Sequence, residues 1–203
     1  MFLATIPVVI AYPLAAGIEK YTLKRHSVPW IVWLLPFIAW FSFVPNTCYL
    51  LTEWRHFIFD APFASHRDPT GGDDPMELLH VARQGLFFVG YSLYGAICFA
   101  LSIRPIHRLI RAAKGQVVLF AVPFFLLVSL GVYMGLVLRL NSWDILNRPG
   151  YVLWVAKHAF ETPLLLETIA AFAGILWLLY MVIDIWFDGL KGRLKHSSHV
   201  VRA

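Results

Sequence analysis

The chain has 203 residues, of which 59% are hydrophobic and only 14% charged, and its formal net charge is +5. Charge this sparse, against the usual quarter, excludes an ordinary soluble domain, and the length favours a single domain over residues 1–203. The basic excess does not require a nucleic-acid partner, because lysines and arginines that flank apolar runs serve to orient them in a lipid bilayer.

In chain order, the first apolar run covers residues 2–18. No basic residue precedes it, while Lys20, Lys24 and Arg25 follow, which is the reverse of a secretory signal and predicts a retained anchor. A second run covers 28–44, and both runs are near the lower length limit for a span. Pro45 should end the second helix, since its ring disfavours helix at the preceding residue. "YLLTEWRHFIF" then alternates apolar and polar residues at helical spacing, which predicts an amphipathic helix lying in the interface. Glu53, His56 and Asp60 share one face of it. "SHRDPTGGDDP" has the turn residues of a loop.

The third span, 79–102, opens with "ELLHVARQG", where Glu77, His80 and Gln84 share a face. The fourth, 117–138, has 22 residues without a charge, a rise of about 33 Å. Pro123 should kink it. Gly131, Gly135 and Arg139 repeat every fourth residue, and such small residues let a neighbouring helix approach closely. Ser142 is placed to cap a short helix through Asn147, closed by Pro149 and Gly150. "YVLWVAKHAFE" reads as a second surface helix carrying His158 and Glu161. Thr162 caps the fifth span, 164–187, with Pro163 in its first position and Glu167 one turn inside. Trp54, Trp143, Trp154 and Tyr151 suit an aromatic belt. Cys48 falls at the outer face and Cys98 near the inner end of the third span, too far apart for a disulfide.

The expected fold is therefore all-α, a polytopic membrane protein with five spans and short interfacial helices. Eleven of the 17 basic residues lie in the first loop, the third loop and the C-terminal tail. That bias puts the N-terminus outside and the C-terminus in the cytoplasm of a plasma (inner) membrane. The second and fourth connections then share the outer side.

Two stretches carry a family resemblance. "VPNTCYLLTEWRH" at 44–56 and "GVYMGLVLRLNSWD" at 131–144 resemble the bacterial membrane family catalogued as domain of unknown function 1361. Pro45, Asn46, Tyr49, Thr52 and His56 match the first motif, and Gly131, Tyr133, Gly135, Arg139, Asn141, Ser142, Trp143 and Asp144 match the second. Glu53 stands where the family has Asp, and Leu136 where it has Arg. The resemblance implies a polytopic membrane protein and no particular reaction.

These residues suggest an outer-side polar pocket. Glu53-x-x-His56, Glu77-x-x-His80 and His158-x-x-Glu161 each put a carboxylate and an imidazole on one helix face, the arrangement from which helical proteins build carboxylate metal sites. A divalent metal held by Glu53, His56, His80, His158 and Glu161 could activate water against an ester or phosphoester of a lipid-linked substrate. Glu53, His56 and Asp144 are the candidate catalytic residues. Asn46, Tyr49, Arg139, Asn141 and Trp143 are the candidate binding residues, with Arg139 suited to gripping a phosphate in bidentate fashion. Two other classes fit the sequence. One is a carrier in which Arg139 and Glu167 mark the path of an anionic solute. The other is a non-catalytic scaffold that docks a membrane protein on the Gly131/Gly135 face.

Overall fold

A computed structural model describes residues 2–24, 27–52, 54, 75–113, 116–140 and 144–200, without the side chains of Glu77, Ile145, Leu146 and residues 194–200. All of its regular structure is helical. α1 spans Phe2–Gly17 and continues as a π-helical stretch, Ile18–Lys24. A 3-10 turn, Trp30–Trp33, leads into α2, Leu34–Thr52. α3 is Pro75–Ala112, α4 is Val117–Leu136, α5 is the short Asp144–Asn147, α6 is Pro149–Glu161 and α7 is Pro163–Val200.

Among the described residues five segments are long and apolar enough to cross a membrane: Phe2–Lys24, Trp30–Thr52, Leu78–Ala112, Val117–Leu136 and Pro163–Arg193. The first two are longer than the sequence suggested, at 23 residues each. α3 and α7 have 38 residues apiece, a rise of about 57 Å against a hydrocarbon layer of about 30 Å. Their ends therefore project beyond the lipid tails.

α2, α4, α7 and α3 pack in a ring, each against the next, and α1 lies against both α2 and α3. The core inside the ring is aromatic and aliphatic, with Trp40, Val44, Phe99, Val128 and Leu176 almost completely buried. Burying the Trp40 indole requires a partner for its N–H, which donates to the Ser102 carbonyl at 3.1 Å. Ser129 ties α4 to α7 by donating to the Ile169 carbonyl at 2.8 Å. Where α2 crosses α3, a Cβ added at Gly95 would lie 2.7 Å from Leu50 Cβ and 2.8 Å from the Thr47 carbonyl, so the crossing depends on a residue without a side chain.

Several local features differ from the sequence expectation. Pro45 does not end the second helix, because α2 continues to Thr52. Proline inside a membrane helix is tolerated when a neighbour accommodates it, and the Pro45 ring packs against Gly131. Residues 49–52, expected to begin an interfacial helix, belong instead to this span, and 53 and 55–60 lie outside the described residues. The short helix ends at Asn147 as expected, but Pro149 and Gly150 do more than close it. They open α6, with the proline in the first turn, where its missing N–H costs nothing. Cys98 is not at the inner end of its span. It packs beside Leu50 and Ala4, because α3 extends ten residues further than expected at that end. Both cysteines are buried and unpaired.

Candidate functional site

The two matched motifs meet along the α2–α4 seam. Tyr49 donates its hydroxyl to the Gly131 carbonyl at 3.2 Å. A Cβ at Gly131 would lie 2.9 Å from Pro45 Cγ, and one at Gly135 would overlap the Tyr49 phenol. The Gly131/Gly135 face is therefore filled by the chain's own second helix, and a membrane partner docking there would have to displace α2. At this same end, Trp54 turns inward rather than joining an aromatic belt. Its indole N–H donates to Ser92 Oγ at 2.8 Å, and Ser92 in turn donates to the Leu50 carbonyl at 3.1 Å.

One turn beyond the seam stands Arg139. It is exposed, and it is the one non-glycine residue with positive φ among the described residues, at 56°. The left-handed conformation turns the chain out of α4, so that the Leu140 N–H reaches back to the Met134 carbonyl at 3.1 Å. Glycine is the usual occupant of such a position, because a Cβ there costs roughly 1–2 kcal/mol. Asp144 then opens α5, and its carbonyl accepts from the Arg148 N–H at 2.8 Å. Asn46 and Asp144 each already have a partner. α6 packs on the same end through Val155 and Ala159, the latter in a cluster with Leu130 of α4 and Ile169 of α7.

Asn46, Tyr49, Arg139 and Asp144 thus belong to one end of the bundle, whereas Glu53, His56, Asn141 and Trp143 lie outside the described residues. The remaining expected metal ligands are exposed. The His158 ring stacks on Trp154 at 5.4 Å with 3° between planes, and Glu161 pairs with Lys157 at 3.7 Å. Among the described residues no group of three histidines, cysteines or carboxylates is placed to hold a metal. Glu167 is exposed on α7.

The opposite end of the bundle holds a charged cluster that the sequence reading missed. Arg104 is buried, and its Nε lies 2.7 Å from Asp184 Oδ1, within ion-pairing range but poorly aligned for a hydrogen bond. Its Nη2 also pairs with Asp188, which pairs in turn with Arg108 at 3.0 Å. The guanidinium sits over the Phe187 ring, 5.3 Å from its centroid. His107 Nδ1 and the Tyr180 hydroxyl are 2.5 Å apart. The signal was available. Tyr180, Asp184 and Asp188 repeat every fourth residue along α7, opposite Arg104, His107, Arg108 and Arg111 on α3. A count of basic residues by loop only orients the spans, and it does not say that the two aspartates, one inside a span, face these arginines.

Across residues 1–182 the chain matches a family model described as a protein of unknown function, DUF1361. No curated protein and no solved structure matches it.

Proposed function

The chain belongs to the DUF1361 family of proteins of unknown function, its five candidate spans make it a multi-pass membrane protein, and on that premise we propose that the motif end binds the anionic headgroup of a lipid-linked substrate, with Arg139 as the principal anion ligand. The observation that carries this reading is the backbone of Arg139. A position where glycine costs least is held by a residue with a planar, permanently charged fork suited to phosphate. Strain of that kind is held by the surrounding structure, here by the Leu140 N–H bond to the Met134 carbonyl, and such positions are enriched at functional sites. Tyr49 and Asn46 stand on α2 at the same end of the bundle, and Asn141 and Trp143 follow Arg139 in the chain. In this reading Glu53, His56 and Asp144 act on the bound headgroup in a hydrolysis or transfer, and a divalent metal, if held by Glu53 and His56, would supply activated water.

The test separates the backbone of Arg139 from its charge. Arg139→Gly should leave thermal stability equal to or above that of the parent, because the left-handed strain is relieved. It should also weaken binding of farnesyl diphosphate to the purified protein about tenfold, the effect of losing a charge-assisted contact. Unchanged affinity in Arg139→Gly by titration calorimetry would remove the proposal.

The proposal also places the motif end outside the cytoplasm, from the bias of the basic residues. With Cys48 and Cys98 both buried, a membrane-impermeant maleimide added to intact cells should label Asp144→Cys and leave Arg108→Cys unlabelled. The reverse pattern would turn the assignment over.

A further inference from the structure

Beside the Arg104 cluster, α2, α3, α4 and α7, with Ile18 beyond α1, line a cavity of about 550 Å³. That is within the range of ligand sites, about 300–1,000 Å³. Its wall is apolar except at His107, Arg111, Tyr180 and the Trp40 indole. Several lining residues, among them Val118, Phe120 and Trp177, are exposed on the outside of the bundle, so the cavity opens sideways toward lipid.

Two of its polar groups are already used. The Trp40 N–H is bonded to the Ser102 carbonyl, and the Tyr180 hydroxyl lies 2.5 Å from His107 Nδ1. With no other acceptor for the phenol among the described residues, Tyr180 donates to Nδ1, and the histidine proton then sits on Nε2. That Nε2 is buried and has no partner among the described residues. Arg111, seven residues beyond Arg104 and also lining the cavity, forms no ion pair among the described residues, whereas Arg104 and Arg108 are balanced by Asp184 and Asp188. An apolar slot open to lipid thus ends at Arg111, a cation with no ion pair among the described residues and complementary to an anionic oxygen.

We propose that this cavity is a lipid site that takes an acyl chain of an anionic phospholipid from the adjoining leaflet, with its phosphate held by Arg111. The site is at the end of the bundle opposite Arg139 and does not depend on the function proposed for the motif end.

Native mass spectrometry of the full chain, given equal amounts of phosphatidylglycerol and phosphatidylcholine with identical chains, tests it. The parent protein should retain phosphatidylglycerol in preference. Arg111→Ala, an exposed position that leaves the buried ion pairs intact, should reduce that preference about tenfold. Ala121→Trp, which fills the slot, should release lipid of either headgroup, and if that variant does not fold, Arg111→Ala still decides. Arg83→Ala, an exposed position near the other end of α3, should retain phosphatidylglycerol as the parent does. Equal retention of the two lipids by the parent, an unchanged preference in Arg111→Ala, or an equal loss in Arg83→Ala would each overturn the assignment.

Discussion

Arg104→Ala should destabilise the protein by about 3–5 kcal/mol, because it leaves Asp184 without its counter-ion in a site only 19% exposed. The arginine side chain itself is 5% exposed, so water cannot replace it at the carboxylate without opening the α3–α7 contact. Thermal or denaturant unfolding of purified protein in one fixed detergent would measure the loss. The partner experiment distinguishes stability from charge. Changing Arg104 and Asp184 together to leucine removes both desolvated groups and should recover much of the single-mutant loss, since breaking a buried pair is worse than replacing it with apolar contact. Arg108 and Asp188 are half exposed, so changing either should have only a small effect. A loss below about 1 kcal/mol for Arg104→Ala would mean that the cluster is solvated and does not lock α3 to α7.

Gly135→Ala should be the second large effect, about 1–3 kcal/mol, because the added methyl overlaps the Tyr49 phenol in a packed seam. Tyr49 cannot simply swing away, since its hydroxyl is bonded to the Gly131 carbonyl at 3.2 Å and the Pro45 ring fills the neighbouring space. Tyr49→Ala creates the missing room, so the two changes should be strongly non-additive, with Gly135→Ala nearly neutral in the Tyr49→Ala background. Additive losses by the same unfolding measurement would show that the glycines are not there to admit Tyr49. The seam also bears on function. Its geometry sets where α4 ends, and hence where Arg139 leaves the helix. A variant that moves α4 should therefore weaken diphosphate binding as well, whereas the Arg104 changes at the far end should not.

Much of the architecture follows from one-dimensional properties. A run of 22 uncharged residues must be satisfied by lipid or by other helices wherever it is placed, and Thr162-Pro163 starts a helix by local backbone chemistry alone. The spans, the helix starting at Pro163 and the short helix ending at Asn147 were legible for that reason. Pro45 was misread because the local rule is true only without a neighbour, and Gly131 is 86 positions away in the chain. The glycine face was recognised as a close-approach surface, but the periodicity of one helix carries no record of which helix fills it.

What the sequence determined by itself was class and family: five long apolar segments, two polar motifs at their ends, and a charge bias between loops. What only the tertiary structure decided was pairing. Tyr49 meets Gly131 and Gly135, Arg104 meets Asp184, and a slot lined from all five spans ends at His107 and Arg111. Hydrophobicity is a sum over each segment and survives being read one residue at a time. Contact between helices depends on shape and charge across a gap, a property of two surfaces that exists only once the chain has folded.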